Sequence, residues 1–361
     1  MTAALLSYFL VFAGTLVLLP LLARLAVRVR LVDHPGRRKR HRGAIPLIGG
    51  PAIFVGFCLG GLLIADTLYP YRALYLGLGV LLVAGLLDDL NDLTPRQKLL
   101  AQFVAAILMV TWGKVVVVYL GDLFGLGTIN LLRWGLPFTV VAMIGMINAI
   151  NMSDGADGLA AGLSLIALLF LAISAYLVGR HVSAQLLMIA TAVVAAFWFL
   201  NMRFPWQPHA RIFMGDSGSM MLGMLLTWFS IEVTRGYDGL PPIAAVWFLA
   251  VPLLDMGVVI LRRVGRGDSP FRAGRDHFHH VLIAAGMSPS TTVLTMHALA
   301  LALAAAGFFA WRAGVPDFWL FYGFIFLLAA CYLVSWRWRR IVRGLRRHQA
   351  RRRTALRTSA S

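Results

Sequence analysis

Cysteine, charge and glutamate are all scarce in this chain, and each shortage excludes a class of protein. Only two cysteines occur in 361 residues, Cys58 and Cys331, each inside an apolar run and neither in a CxxC pair. That excludes a disulfide scaffold and a thiolate metal centre and leaves two buried thiols. Charged residues make up 13% against 60% hydrophobic, with a mean hydropathy of +0.79, too little polar material to cover a soluble globule. The first apolar run, from Met1 to Val27, has no basic residue before it, so it reads as a retained span rather than a secretory signal.

What is there instead is a succession of apolar runs of about twenty residues, the length of a bilayer-crossing helix. Eleven spans are expected, at 4–26, 45–65, 72–88, 98–118, 131–150, 159–178, 184–201, 218–233, 242–261, 291–311 and 317–336. Because a bilayer offers no water to an open backbone, the fold class is all-α: a polytopic integral membrane helical bundle. One transmembrane domain covers 1–336, and 337–361 form a basic tail.

The net charge of +18 raises nucleic acid as a partner, and its distribution argues against one. Of the 33 Lys and Arg, 26 fall in alternate loops, at 28–42, 89–98, 202–217, 262–290 and 337–361. The positive-inside rule turns those loops to the cytoplasm, with the amino end outside and the carboxyl end cytoplasmic. The tail has no aromatic after Trp338 and follows a span, so it reads as an anchor touching anionic lipid head groups. Gly56 and Gly60 make a GxxxG in the second span, a pattern that serves a homodimer contact and intramolecular packing equally well.

Only fifteen acids occur, with Glu232 the sole glutamate, so their grouping is informative. Nine lie in or beside the inward loops: Asp33, Asp88, Asp89, Asp92, Asp154, Asp157, Asp216, Asp268 and Asp276. Charge near a membrane is costly and usually functional. In Asp88-Asp89-Leu90-Asn91-Asp92, one more helical turn would crowd the carboxylates on one rim, a crowding that a cation relieves. Three acids at a helix carboxyl end also oppose its dipole, which weakens a purely structural reading.

Asn148, Asn151, Asp154 and Asp157 recur every third residue, with Gly155 and Gly158 among them, which suits a turn that feeds a helix and admits a nucleotide closely. DG pairs alone mark turns. Gly215-Asp216-Ser217-Gly218-Ser219 opens span eight, where Asp216 suits either a Mg²⁺ ligand or a helix cap. His277, His279 and His280, preceded by Arg272 and Arg275, suit phosphate and sugar oxygens. Zinc fits them poorly, because no cysteine is near and three histidines in four residues cannot all face one ion from one helix. The run from Arg37 to Arg42, with Arg40 and His41, suits topology or the recruitment of anionic phosphates, and Gly49-Gly50 permits close helix approach.

In this order, RKRHRGAIPLIGG, DDLND, NAINMSDGADGLAAG, FMGDSGSMMLG and SPFRAGRDHFHH closely resemble the bacterial polyprenyl-phosphate N-acetylhexosamine-1-phosphate transferases, whose superfamily includes the phospho-MurNAc-pentapeptide transferases. The resemblance runs from about residue 30 to 290. The peptidoglycan enzymes have lysine at the position of Asp92 and three consecutive histidines where Phe278 intervenes here, so this chain looks like the branch that uses UDP-GlcNAc. Relatives often carry an acid where this chain has Gly274.

The resemblance implies that Asp216, helped by Asn151, ligates Mg²⁺, with Mn²⁺ a substitute. Asn148, Asp154 and Asp157 would line the nucleotide pocket, and Arg275, His277, His279 and His280 would contact phosphate and sugar. Asp88 and Asp89 would stand at the reacting lipid phosphate, with Arg40, His41, Asp92 and Lys98 also binding phosphate. The implied partners are UDP-GlcNAc, undecaprenyl phosphate and membrane lipids, and the implied place is the cytoplasmic face of the bacterial inner membrane, at the start of O-antigen or a related polysaccharide. Alternatives are another UDP-N-acetylhexosamine or UDP-MurNAc-pentapeptide as donor and, from a different class, a transporter. A transporter would place its charges nearer the midplane and show paired repeats.

Overall fold

A computed structural model of the chain describes residues 2–34, 43–64, 68–236, 239–269, 274 and 276–358, with side chains for all of these except 2–4, 64 and 338–358. The described residues hold thirteen α-helices. The first eight are α1 (Thr2–Arg28), α2 (Gly49–Ile64), α3 (Arg72–Asn91), α4 (Pro95–Thr111), α5 (Gly135–Ser153), α6 (Leu159–Leu177), α7 (His181–Asn201) and α8 (Gly215–Val233). Then follow α9 (Pro242–Phe248), α10 (Ala250–Val264), α11 (Phe278–Ala284), α12 (Pro289–Arg312) and α13 (Asp317–Thr358).

Seven of them, α1, α3, α5, α6, α7, α12 and the first part of α13, are long and apolar enough to cross a membrane. An all-α polytopic membrane protein is therefore what the chain builds. α9 and α10 occupy the ninth expected span but meet at 86°, so that span is a bent pair. Pro252 gives the reason: it lacks the N–H that would reach the carbonyl of Phe248, and its ring would crowd that carbonyl in a continuous helix. The remaining expected spans coincide with α2, α4 and α8. α2 has 16 residues, a rise of about 24 Å against a hydrocarbon core of about 30 Å.

Two local features depart from the expected spans. Ile45 and Pro46 form a strand paired antiparallel with Val32 and Asp33, so the second helix starts at Gly49 rather than 45. The fourth ends at Thr111, before Gly113 and the left-handed Lys114 (φ 55°), rather than at 118.

α8 is the innermost element. Every residue from Ser217 to Val233 except Glu232 is buried, and α2, α3, α5 and α6 pack around it. Small residues make that possible: a Cβ at Gly50 or at Gly85 would collide with Ser217, and one at Gly223 with the backbone of Ile147. Backbones of α2 and α3 thus touch the first turn of α8, where Asp216 sits. Gly56 and Gly60 face Thr15, Val193, Val11 and Ile189 of their own chain, so the GxxxG of α2 serves internal packing.

Candidate active site

The first turn of α8 is held from three sides. Gly215 opens it in the left-handed region (φ +72°), where a side chain would be strained and would strike Asp89. Asp89, near the end of α3, accepts the Asp216 backbone N–H at 3.0 Å and the Ser217 hydroxyl at 3.4 Å. It is thus a carboxylate placed on a helix amino end, where the dipole favours it. Asn151, from α5, donates its amide to Asp216 Oδ1 at 2.9 Å and to Ser219 Oγ at 2.9 Å.

Lys98 supplies the third side. Thr94 and Gln97 form a reciprocal capping box that starts α4 and fixes Lys98 one turn in. Its Nζ lies 2.5 Å from Asp88 Oδ2 and 2.6 Å from Asp216 Oδ2. Asp88 also accepts the Leu93 N–H at 2.8 Å, closing the turn between α3 and α4. The cation that separates the acids is therefore a lysine expected at the lipid phosphate. Asp92 does not join the rim: α3 stops at Asn91, and Asp92 caps it in the left-handed region (φ 49°), exposed.

Beside this turn opens a cleft of about 490 Å³, lined among others by Asp89, Asp154, Gly155, Asp157, Arg203 and Asp216. Asp157 is fixed by Arg203, whose Nε donates to its Oδ2 at 2.7 Å, and by the Ala210 N–H at 3.3 Å. Burial and the carboxylates of Asp216, Asp89 and Asp157 push the Asp154 carboxyl well above the usual range. Asn148, one turn before Asn151, is occupied with the Gln102 carbonyl oxygen at 2.9 Å and the Ile144 carbonyl at 2.7 Å.

The histidines pack against the same loop. His279 is almost fully buried, and a Cβ added to Gly155 would collide with its ring. Neither of its ring nitrogens has a hydrogen-bond partner among the described residues, and burial with His280 and His277 nearby lowers it to about 3, so it is neutral near pH 7. The His280 ring lies 4.1 Å from that of His279, centroid to centroid. Arg40, His41, Arg272 and Arg275 lie outside the described residues.

Two groups escaped the sequence reading. Arg203 was visible only as a topology charge, although its place just after α7 and before the FMGDSGS motif puts it on the cleft. Asp255, in α10, is buried and contacts both His277 and the Phe278 N–H. An acid inside an expected span was the available signal for it.

Among the described residues, the cleft lining offers carboxylate oxygens from Asp89, Asp154, Asp157 and Asp216 and no cysteine, its sulfur being the thioether of Met214. Among the described residues, no group of three or more His, Cys, Asp or Glu side chains is arranged to hold a metal by itself. Such a set suits a hard divalent cation that takes one or two protein oxygens and completes its shell with water and phosphate. Burial and three neighbouring carboxylates raise the Asp154 carboxyl, a crowding that a bound cation would relieve.

Membrane helices whose ends gather acids, amides and one lysine around an open cleft define an integral membrane protein with polar chemistry at the helix ends. The family model for glycosyl transferase family 4 matches residues 71–234, which carry Asp88, Asp89, Lys98, Asn151, Asp154, Asp157 and Asp216. The chain is 37% identical over 353 residues to the undecaprenyl-phosphate alpha-N-acetylglucosaminyl 1-phosphate transferase of Haemophilus influenzae, covering 96% of this chain and 99% of that one. It is 32% identical over 349 residues to the protein of the same name from Escherichia coli, covering 95% of each. The chain belongs to glycosyl transferase family 4, among these sugar 1-phosphate transferases.

Proposed function

We propose that the chain transfers N-acetylglucosamine 1-phosphate from UDP-GlcNAc to undecaprenyl phosphate, giving undecaprenyl-diphospho-GlcNAc and UMP. The observation that carries this is the meeting of three separate acidic motifs on one cleft, in a chain whose near full-length relatives bear the name of that activity. The reaction would be the first membrane step of O-antigen or a related surface polysaccharide.

An oxygen of the lipid phosphate bonds to the sugar-bearing phosphorus. The bond from that phosphorus to the bridging oxygen breaks, and UMP leaves with the electron pair. A phosphate monoester has a second pKa near 6, so its dianion is already populated at neutral pH, and direct attack is favoured over an aspartyl-phosphate intermediate. Asp88 or Asp89 would take the last proton where one remains. One pyrophosphate replaces another, so the chief barrier is the approach of two anions. Asp216 and Asn151 would hold Mg²⁺, with Mn²⁺ a substitute, which when bound supplies the positive charge that the phosphates need. Lys98, between Asp88 and Asp216, is the chain's own cation at that point.

Eleven spans would place the amino end outside, the carboxyl end in the cytoplasm and the cleft at the cytoplasmic face of the bacterial inner membrane. The positive-inside partition supports this, as do α2, α4 and α8 standing where the three remaining spans are expected. Competition between UDP-GlcNAc and UDP-MurNAc-pentapeptide, with purified protein and undecaprenyl phosphate, tests the donor. UDP-GlcNAc is expected to be consumed with release of UMP; preferential use of the pentapeptide donor would move the chain to the sister branch.

A further inference from the structure

α10 carries three buried charged side chains, Asp255, Arg262 and Arg263, and the first two are almost wholly enclosed. Asp255 and Arg262 are seven positions apart, about two helical turns, so they share one face. Both reach the same short segment ahead of α11. Arg262 donates through Nη2 to the Asp276 carbonyl at 3.2 Å and pairs with its carboxylate at 3.2 Å. Asp255 uses both of its oxygens on the next two residues: Oδ2 lies 3.0 Å from His277 Nδ1, and Oδ1 accepts the Phe278 N–H at 2.9 Å.

A charged carboxylate under a bundle of apolar helices is costly unless each oxygen is occupied. Here both are occupied by a segment 22 residues further along the chain. A carboxylate beside Nδ1 makes that nitrogen the protonated one and leaves Nε2 as the atom for other contacts. The second bond, to the Phe278 amide, fixes where α11 begins. Two residues after His277, His279 rests against Gly155 on the cleft wall.

We propose that Asp255 is a positioning residue for the transfer: it holds the His277 ring and the start of α11 in one arrangement, so that the histidine row meets the acidic loop at Gly155. This rests on the transferase reading. Asp255→Asn is close in size and keeps a carbonyl oxygen for the Phe278 N–H, but it places an amide N–H against Nδ1 and so reverses the ring's protonation pattern. Outer partners of functional histidines typically contribute about 10–100-fold in activity.

The test is a double-mutant cycle on the purified full chain with UDP-GlcNAc and undecaprenyl phosphate, reading kcat/KM together with the melting temperature. Asp255→Asn is expected to lose about 10–100-fold with its melting temperature little changed, and to cost nothing further in a His277→Ala background. Losses that multiply would overturn the proposal, because Asp255 would then act independently of His277. Wild-type activity in Asp255→Asn would overturn it too. So would failure of Asp255→Asn to fold while His277→Ala folds, which would make Asp255 part of the scaffold. Lack of transfer by the unmutated chain would instead sink the functional reading, a distinct result.

Discussion

Asp216→Asn is expected to abolish turnover while leaving the protein folded and inserted, with a loss of about 10³-fold or more, on the order of 4 kcal/mol. The carboxylate has two engaged oxygens, one facing Lys98 Nζ at 2.6 Å and the other accepting from Asn151 at 2.9 Å. An asparagine offers one acceptor, so either Lys98 or Asn151 loses its partner whichever way the amide turns. The scaffold keeps its other supports, because Lys98 still pairs with Asp88 and the α8 backbone still donates to Asp89. A neutral amide is also a poorer ligand for a hard divalent cation. Activity near wild type in lipid-supplied enzyme would remove Asp216 from the site.

Gly85→Ala is expected to be nearly as damaging although it adds one methyl group and removes no polar contact. That methyl would run into the Ser217 backbone, and neither α3 nor α8 has a flexible side chain there to give way. The helices must separate, which typically costs about 1–3 kcal/mol or more in a packed interior. Separation moves Asp88 and Asp89 away from Asp216, and a displacement of about 1 Å at a reacting centre can cost about 100-fold. Gly79→Ala on the same helix is the control, since its nearest neighbour would be Phe54 Cζ at 3.9 Å. Equal activity and melting temperature for the two variants would contradict the role given to the contact between α3 and α8.

The helices and the acidic motifs were legible in the sequence because each is a local signal. Apolar length marks a span, and Asp88, Asp89, Asn151, Asp154, Asp157 and Asp216 stand out where acids are rare. What the sequence did not display depends on partners far along the chain. Arg203 read as a topology charge and Lys98 as a phosphate-binding group, and only folding brings them 2.7 Å from Asp157 and 2.6 Å from Asp216. Gly85 looks like any small residue of a membrane helix until Ser217 lies against it. Asp255 lies inside an apolar run of span length, where the surrounding hydropathy outweighs one carboxylate, although an acid at that depth is itself a signal. The left-handed turn at Asp92 took that acid off the rim, a backbone choice that residue spacing does not express.

The proposed reaction at the cytoplasmic face demands that the loops bearing the three acidic motifs and the histidines be reachable from one side of the membrane. After replacement of Cys58 and Cys331, single cysteines at Asn91, Trp206 and Ser288 would be probed with an impermeant thiol reagent in intact cells and in inverted vesicles. All three are exposed, and Leu126, at 90% exposure, supplies the opposite-side control. Labelling of the three only in inverted vesicles, with Leu126→Cys labelled only in intact cells, is the expected pattern. If any one of the three labelled from the outside with the others inside, no common pocket at one face would exist, and the account would be contradicted.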